Sequence, residues 1–369
     1  MKIRTVETFL VHSPLRKPFI TALRTVHTVQ SVVVKITADN DMIGWGEAVP
    51  THVITGDSLG GIRYAIDHIL APVLIGQDLT RRERIFDRMH RVTIGNTSAK
   101  AAVDMALYDL LGQYCGLPVS RLLGGYRKAL VTDLTVSIGT PNEMADEAAE
   151  HVAKGFTTLK VKMGTGNFHE ERERIRAIRQ RVGPKTIIRL DANQGWKPKE
   201  AIRIIRRLED DGFDIELIEQ PVAAHDIEGL SEVTKSTSTL IMADESMFSA
   251  VDARKLLALR VVDVLNIKLM KSGGIHEALK INALAESYGV ECMVGSMMET
   301  SIGVTAAAHL AASQPNVTRV DLDAPLLVMD EFTAGGLKYQ GSVIEFDGMP
   351  GLGFDAERMI TWVKEHACE

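Results

Sequence analysis

The sequence predicts an α/β protein whose main body is a modified TIM barrel of the (β/α)7β type, with an α+β capping domain built from the N-terminus and the C-terminal tail. Two observations predict this fold. In the middle of the chain, short β-branched runs alternate with longer amphipathic stretches, whereas both flanks lack that rhythm. Strands that alternate with helices about every 25–30 residues are typical of βαβ units with a parallel sheet. Eight such strands within about 195 residues fit a closed barrel better than an open sheet.

The eight predicted strands follow one another with turn residues and helical patterns between them. The strands are Leu130–Ile138, Thr157–Met163, Thr186–Asp191, Ile215–Gln220, Leu240–Asp244, Val262–Lys268, Val290–Gly295 and Val317–Asp321. The clearest helical patterns are Glu143–Lys154, Glu171–Arg181, Lys199–Asp211 and Ile275–Tyr288. The eighth strand is followed by Ala324-Pro325 without a helical pattern, so the last unit of the barrel lacks its helix.

The flanks predict a second structural unit. Residues 1–48 resemble a three-stranded meander, and helical patterns follow up to about residue 115. These strands are Lys2–His12, Ser31–Thr37 and Ile43–Glu47, and the helices are Gly60–Leu74, Arg81–Met89 and Ala99–Cys115. The tail from about residue 330 again suggests short strands and a final helix. We therefore expect a capping domain at 1–125, the barrel at 126–325, and a returning segment at 326–369.

Two connections in the first flank, Pro14–Thr28 and Val49–Leu59, are polar and have no periodicity. Long loops of this kind in a compact domain are often lids or binding loops. Ordinary surface loops would give the same pattern, so the sequence leaves both readings open.

Composition excludes several classes of function. The 369 residues carry a formal net charge of −6, which argues against nucleic acid as a partner. No apolar run is long enough to cross a membrane, and the charged first residues do not resemble a secretory signal. The three widely spaced cysteines predict neither a disulfide framework nor a cysteine zinc site. We expect a cytoplasmic enzyme.

Three carboxylates end three successive predicted strands. Asp191, Glu219 and Asp244 are each one βα unit apart, and active-site groups of such barrels lie at the C-terminal ends of the strands. Oxygen ligands without histidine or cysteine suit Mg²⁺. Separate helix caps or salt bridges are the alternative for any one of these residues.

Three lysines complete the strand-end pattern. Lys160 and Lys162 are two residues apart on the second strand, so both side chains point to the same side. Lys268 ends the sixth strand, which is diametrically opposite in a ring of eight. Lysines on opposite faces of one substrate carbon could invert that carbon, provided that burial beside another cation lowers their pKa. Taken alone, Lys268 would more often be a strand-end lysine that reaches solvent, and its position in phase with the other strand-end groups is what favours the site.

Together these motifs resemble the enolase superfamily, in its muconate lactonizing enzyme-like subgroup. The resemblance runs from the two loops near Thr21–Thr25 and Ile54–Ser58, through Ala99–Gly125, to the strand-end motifs KVK, DANQGW, EQP, ADES, NIKL and DLDAP. It implies one Mg²⁺ per subunit and an enediolate intermediate; lysine bases with Mg²⁺ in this superfamily are an established pattern. It also implies that Lys162 takes the proton from the (R)-centre and Lys268 from the (S)-centre.

Within the subgroup, Asp321 and Asp323 resemble the dipeptide epimerase signature, in which two carboxylates grip a substrate ammonium group. Arg24 resembles an arginine that binds a glutamate side chain, and the planar guanidinium suits a carboxylate. A solvated loop arginine is the alternative. Lys160 is expected to hold the substrate α-carboxylate. The resemblance implies further substrate contacts from Thr135, Ser296 and Met298.

We therefore expect Mg²⁺-dependent epimerization of a dipeptide, with L-Ala-D/L-Glu as the leading candidate. The first alternative is N-acylamino acid racemization or o-succinylbenzoate synthesis on the same scaffold, which needs no ammonium clamp. The second alternative is a barrel that binds dipeptides without turnover, which needs no pair of opposed lysines. The expected partner is a small-molecule dipeptide, without nucleic acid or membrane, and we expect a homo-oligomer.

Overall fold

Three sheets organise the chain in the computed structural model, which describes residues 1–164, 168–330, 332 and 334–368. One sheet is antiparallel and lies mainly in the first fifty residues, one is an eight-stranded parallel sheet, and one is a small sheet that joins the tail to the start of the barrel. Among the helices of this described part, none combines the length and apolar character needed to cross a bilayer.

The N-terminal sheet has four strands in the order β15-β1-β2-β3. They are β1 (Ile3–Ile20), β2 (Thr25–Ala38), β3 (Ile43–Ala48) and, from the chain's far end, β15 (Ala367–Cys368). Its helices are α1 (Leu59–Tyr64), a π-helical segment (Ala65–Leu70), α2 (Ala71–Leu74), α3 (Arg82–Val92), α4 (Thr97–Cys115) and α5 (Val119–Leu122). The tail therefore returns to the N-terminal domain, as the sequence predicts, and its last strand pairs with β1.

The prediction that Pro14–Thr28 is a connection without regular structure is wrong. Strands β1 and β2 continue through it as a long hairpin, which we call the lid hairpin, and only the tip at 21–24 is a turn. The pairing register shifts between Pro14 and Phe19. Because prolines cannot donate a hydrogen bond to the neighbouring strand, Pro14 and Pro18 break the alternating pattern, and the irregular register absorbs them.

The barrel strands are arranged in chain order, from β5 to β12, and all pairs are parallel. They are β5 (Leu134–Val136), β6 (Thr158–Lys162), β7 (Ile187–Asp191), β8 (Ile215–Glu219), β9 (Leu240–Ala243), β10 (Val264–Lys268), β11 (Glu291–Gly295) and β12 (Val317–Asp321). Inside the barrel, Leu217, Met242, Val264 and Met293 form a small apolar cluster of their own. This cluster occupies the side of the barrel interior that is formed by β8 to β11.

The helices of the barrel and tail cover the outside of the parallel sheet or follow it. They are α6 (Pro141–Ala153), α7 (Phe168–Val182), α8 (Pro198–Asp210), α9 (Ile227–Ser236), α10 (Ala250–Ala258), α11 (Leu269–Ser272), α12 (Ile275–Ser287), α13 (Ser301–Ser313), α14 (Ala324–Leu327) and α15 (Ala356–His366). The turn α14 after the eighth strand has only four residues, so the (β/α)7β prediction is confirmed.

The first predicted barrel strand, Leu130–Ile138, is two strands. Strand β4 (Ala129–Val131) pairs with β14 (Val343–Phe346), which also pairs with β13 (Leu337–Gln340), and only β5 enters the barrel. Between β4 and β5, the Thr132 amide donates to Ser342 O. Strand β4 is mostly exposed and β5 is buried, but only Thr132 and Asp133 stand between them, so the sequence pattern does not mark the break.

Side chains close the barrel between β5 and β12. The amide of Thr135 donates to Asp323 Oδ2 at 2.7 Å, and the amide of Leu322 donates to Thr132 Oγ1 at 2.9 Å. Asp323 therefore lies at the junction of the first and last barrel strands, which we call the seam, and its carboxylate accepts a backbone hydrogen bond there.

Candidate active site

The polar strand ends lie level with one another around the barrel mouth. In the strand register, Lys162 stands opposite Asp191 and Asp191 opposite Glu219. On the other side, Lys268 stands opposite Gly295 and Gly295 opposite Asp321. Because the register is parallel and in phase, these side chains converge at one end of the barrel.

Lys160 lies at the centre of this group. Its Nζ is 2.7 Å from Asp321 Oδ2, 2.7 Å from Glu219 Oε2 and 3.1 Å from Asp191 Oδ2. Lys162 Nζ is 2.6 Å from the same Asp191 Oδ2. All these side chains are buried. Burying charged groups is costly unless they are paired, so the network is compensated within itself.

The opposite side of the mouth is built around Asp244. Lys268 Nζ is 2.7 Å from Asp244 Oδ2, and Lys271 Nζ is 2.5 Å from Asp244 Oδ1. Lys271 also donates to the backbone oxygens of Asp244 and Asn266. The strand-end argument does not find Lys271, because it lies one helical turn after the strand, in α11. Its spacing of three residues from Lys268 is the signal that places both on one side of that turn.

The charges in the site shift its pKa values in both directions. Burial opposes ionisation of Asp191 and Asp244, but the neighbouring lysines outweigh it and hold both pKa values below their usual range. For Glu219, burial and the charge of Asp191 raise the pKa to about 7. The site therefore has one carboxylate whose negative charge is not fully compensated.

Lys268 differs from the expectation that its pKa is lowered. Burial does disfavour its charged form, but the carboxylates of Asp244 and Glu219 outweigh burial and raise the pKa above its usual range. The physical reason is that acidic groups, rather than a second cation, are its dominant electrostatic neighbours. A cation on those carboxylates would act in the opposite direction.

The donor set fits a hard divalent cation. Across the described residues, no three carboxylate, imidazole or thiol groups form a ready-made metal site, because lysine ammonium groups lie against Asp191, Glu219 and Asp244. Near these three carboxylates lie buried side-chain oxygens that have no hydrogen-bond partner among the described residues. They are Asn193 Oδ1, Glu245 Oε2 and Asn266 Oδ1. An oxygen-rich site with uncompensated acid suits Mg²⁺.

Asp321 and Asp323 both face the pocket, although only Asp321 belongs to strand β12. Burial opposes ionisation of Asp321, and the ammonium of Lys160 outweighs it and lowers the pKa. For Asp323, burial and the charge of Asp321 raise the pKa to about 6. Two buried neighbouring carboxyls that share one lysine would gain from a further positive charge.

The pocket over these groups is a cavity of about 50 Å³. Both predicted catalytic lysines and seven further predicted substrate-binding residues line it, of which Arg24 belongs to the lid hairpin and the others to the barrel. Those of the barrel are Thr135, Lys160, Lys162, Lys268, Ser296, Met298, Asp321 and Asp323. The three candidate metal carboxylates lie beneath and contact the lysines.

The lid hairpin and the second polar connection close the pocket from above. Phe19, Leu23 and Arg24 line it from the hairpin, and Val53 and Ile54 line it from the connection at 49–59. The Lys162 ammonium lies 5.6 Å from the centre of the Phe19 ring, which is within cation–π range. Both connections therefore border the pocket, and sequence reasoning did not single out Phe19 because it lies in the irregular part of the hairpin.

Arg24 has no carboxylate partner among the described residues, and burial lowers its pKa. A half-buried guanidinium that faces a pocket without an ion pair is available to an acidic ligand.

Comparison with known proteins agrees with this geometry. Residues 3–124 match the mandelate racemase / muconate lactonizing enzyme N-terminal domain, and residues 143–359 match the enolase C-terminal domain-like family. The chain is 53% identical to the L-Ala-D/L-Glu epimerase of Bacillus subtilis strain 168, over 99% of this chain and 100% of that protein. It is 45% identical to the hydrophobic dipeptide epimerase of Enterococcus faecalis V583, over 96% and 99% of the two chains.

A solved structure is similar over nearly the whole chain. It is the dipeptide epimerase of Enterococcus faecalis V583 complexed with Mg and the dipeptide L-Leu-L-Tyr, with a TM-score of 0.93 and 44% identity, covering 96% of this chain and 100% of that one. Both domain matches, the extent of identity and the barrel architecture agree, and the chain therefore belongs to the mandelate racemase / muconate lactonizing enzyme family of the enolase superfamily.

Proposed function

We propose that this protein is a Mg²⁺-dependent dipeptide epimerase that inverts the α-carbon of the C-terminal residue, with L-Ala-D/L-Glu as its preferred substrate. The observation that carries the proposal is the pair of buried lysines, Lys162 on β6 and Lys268 on β10, on opposite sides of one pocket. In an eight-stranded barrel these strands are four apart. A substrate carbon between them meets an amine on each face.

The proposed metal ligands are Asp191, Glu219 and Asp244. A bound Mg²⁺ would supply positive charge for the substrate carboxylate and for the enediolate that it becomes when the α-proton leaves. With its carboxylate neighbours engaged, Lys268 would lose the interactions that raise its pKa, which favours its action as a base.

The two lysines exchange roles between the two directions of the reaction. A neutral Lys162 takes the α-proton from one face of the (R)-epimer, and the Lys268 ammonium delivers a proton to the opposite face. In the reverse direction, a neutral Lys268 takes the proton and the Lys162 ammonium delivers one. In each turnover one lysine gains the proton that leaves the carbon and the opposite lysine loses the proton that the carbon receives, so the carbon is inverted. Lys160, held by three carboxylates, is proposed to orient the substrate carboxylate.

The two ends of the dipeptide are bound by groups of opposite charge. Asp321 and Asp323 would hold the substrate ammonium group, which adds the positive charge that this carboxyl pair lacks. Arg24 would hold the glutamate side chain. Thr135, Ser296 and Met298 are proposed to shape the rest of the pocket. The carboxyl pair argues against N-acylamino acid racemization and o-succinylbenzoate synthesis, whose substrates carry no ammonium group there.

The proposal is tested with a dipeptide library in deuterated water, read by mass spectrometry and by separation of the epimers. We expect solvent deuterium at the α-carbon of the C-terminal residue, together with inversion, and the fastest turnover with Ala-Glu. A barrel that only binds dipeptides would exchange no proton. Inversion of N-succinyl amino acids with no turnover of dipeptides would favour the alternative activity.

Metal dependence is tested by chelation and by a ligand variant. Activity should disappear with chelator and return with Mg²⁺, and Glu219→Gln should weaken Mg²⁺ binding in a titration without substrate. Glu216→Gln is a matched control because this acid lies on the same strand as Glu219 but pairs with Arg189 and Arg319 and is not a proposed ligand. Full activity in a metal-stripped sample would contradict the assignment.

Three further expectations stay proposals. A cytoplasmic location is consistent with three cysteines that are all free in the structure, since reducing compartments keep thiols in this state. The homo-oligomeric state and the domain boundaries at 125 and 325 also stay predictions. Sedimentation velocity would measure the oligomeric state, and limited proteolysis would locate the domain boundaries.

A further inference from the structure

The connection between β11 and α13, residues 296–300, forms one wall of the pocket. Its residues Ser296, Met297 and Met298 line the cavity. Gly295, just before it, packs against Lys268: a Cβ at this glycine would stand 3.2 Å from Lys268 Cε. The position of this connection therefore sets both a pocket wall and the space around one of the two opposed lysines.

A side chain from outside the barrel holds the end of this connection. Glu47, on β3 of the N-terminal sheet, is fully buried and accepts three hydrogen bonds at the start of α13. Its Oε2 accepts from Thr300 Oγ1 at 2.8 Å and from the Gly303 amide at 2.9 Å, and its Oε1 accepts from the Thr300 amide at 3.1 Å. The first amides of a helix have no partner within the helix, so an acceptor from another element fixes them strongly.

Strand β3, which carries Glu47, has little room to move. Gly44 and Gly46 lie against the backbone of α4, and a Cβ at Gly46 would stand 1.9 Å from Ala102 O. Only glycine permits this approach. Glu47 is therefore a fixed point on which the start of α13 rests.

A second buried acid, Glu299, belongs to the connection itself. Its Oε1 accepts from the amide of Met297 at 2.8 Å, while its Oε2 has no hydrogen-bond partner among the described residues. A Cβ at Gly303 would stand 2.2 Å from Glu299 Oε2 and 3.2 Å from Glu47 Oε2. The two buried carboxyl groups thus border the same point of α13.

We propose that Glu47 and Glu299 form a carboxyl pair through which the N-terminal sheet positions the 296–300 connection, and that one of the two must keep its proton for the connection to stay closed. The pair acts as a positioning device, because neither acid lines the pocket. Only the reading of the pocket as a dipeptide site rests on the proposed function.

The charges around Glu299 support this requirement. Burial and the neighbouring charge of Glu47 raise the pKa of Glu299 to about 8, and Lys268 is the facing cation that opposes the shift. Burial also raises the pKa of Glu47, although its hydrogen bonds from Thr300 and Gly303 counteract burial. Two adjacent buried carboxylates could not both ionise without a large cost.

The direction of the pH effect follows from linkage. Glu299 has a raised pKa in the closed state and its ordinary value, near 4.5, when the connection opens to water. The protonated form therefore stabilises closure fully below about pH 4.5, and this stabilisation is lost progressively as the pH rises to about 8. The opening constant should rise by up to about tenfold per pH unit over that range and then level off.

Hydrogen–deuterium exchange of the peptide 296–304, divided by its intrinsic exchange rate, measures this opening without substrate. Glu47→Gln should raise the opening constant by about tenfold at pH 7, in this segment and not in distant ones, because charge-assisted hydrogen bonds become neutral. Glu299→Gln, which mimics the protonated acid, should remove the rise between pH 5 and 8. Glu7→Gln is the matched control, since Glu7 lies on the same sheet but pairs with Lys35 at the surface.

Kinetics with Ala-Glu provides a second readout. Because the pocket wall loosens while the proposed metal ligands stay in place, Glu47→Gln should raise KM more than it lowers kcat. A wild-type opening constant in Glu47→Gln, or a wild-type pH slope in Glu299→Gln, would overturn the inference. A connection that loosens as described in a protein that epimerizes no dipeptide would instead contradict the proposed function alone.

Discussion

The barrel interior carries buried charge at two levels, and the two levels use different cations. At the mouth, Lys162 pairs with Asp191 at the end of β7, and the Lys160 ammonium reaches the same carboxylate from a backbone position opposite Arg189. Two residues earlier on that strand, Arg189 donates to Glu216 Oε2 at 2.6 Å and to Asp133 Oδ2 at 2.9 Å. Strand β12 repeats the pattern, since Arg319 donates to Glu216 Oε1 at 2.8 Å, two residues before a mouth carboxylate.

The difference teaches what each level can do. A guanidinium keeps its proton at any ordinary pH and binds two carboxylates in fixed geometry, so the arginine level ties together strands that are not neighbours. Lysine is a single point charge whose pKa follows its surroundings, so the lysine level can give and take protons. One level supports the barrel and the other, by our proposal, performs the chemistry. Four predictions test this division, in order of decreasing effect on activity.

Replacing either opposed lysine should have the largest effect. Lys162→Ala or Lys268→Ala should lower the rate of epimerization by about 10³-fold or more, because each removes one proton carrier. Each variant should still exchange the α-proton of the one epimer that faces the remaining lysine. The measurement is deuterium incorporation against inversion for each pure epimer. Normal interconversion by Lys268→Ala would show that the mouth does not use two bases.

Asp321→Asn should have the next largest effect. The substitution removes the charge that holds both the Lys160 ammonium and, by our proposal, the substrate ammonium, so kcat/KM should fall by about a hundredfold. The loss should be similar for Ala-Glu and Ala-Leu, since both carry the same ammonium group. A loss confined to one of the two would place Asp321 at the side-chain end of the pocket instead.

Arg24→Ala should have a smaller and selective effect. It should lower kcat/KM for Ala-Glu by at least about tenfold and leave Ala-Leu nearly unaffected or improved, because only the acidic side chain loses a partner. Arg16→Ala on the same hairpin is the control, as Arg16 does not line the pocket. Equal losses with both dipeptides would mean that Arg24 only orders the lid hairpin.

Arg189→Met should have the smallest effect on activity and a clear effect on stability. It leaves the buried Asp133 without its cation, whereas Glu216 keeps Arg319, so the free energy of unfolding should fall by about 3 kcal/mol. The kcat/KM of the folded protein should stay within about twofold of wild type. Urea unfolding and kinetics on the same preparation measure both. A large loss of kcat/KM in fully folded protein would break the division between the two levels.

The parts of this molecule that sequence reasoning predicts are those with a repeat. Eight βα units and their strand ends could be counted, so the sequence alone assigns Asp191 and Lys268 to the same end of a barrel. The fold class and the family are confirmed. The roles of the site residues stay predictions that the geometry supports.

The parts that escaped prediction depend on contacts between distant or irregular segments. Glu47 acts on an amide more than 250 residues away, which no local pattern reveals. Lys271 follows its strand end and looks like an ordinary turn residue. The lid hairpin contains two prolines that hide its alternation, and the split between β4 and β5 depends on a partner strand from the tail. Tertiary pairing decides such features, and local propensity does not.

The position of the lid hairpin over the pocket bears on which step limits the turnover rate. A cavity of about 50 Å³ is smaller than a dipeptide, so we expect the tip of the hairpin to withdraw for substrate entry and again for product release. Loop motions of this kind take microseconds to milliseconds, and solvent friction slows them. Where opening limits kcat, added viscogen slows the enzyme while deuterium at the α-carbon of the substrate does not. The hairpin would then set the pace for chemistry that takes place entirely in the barrel beneath it.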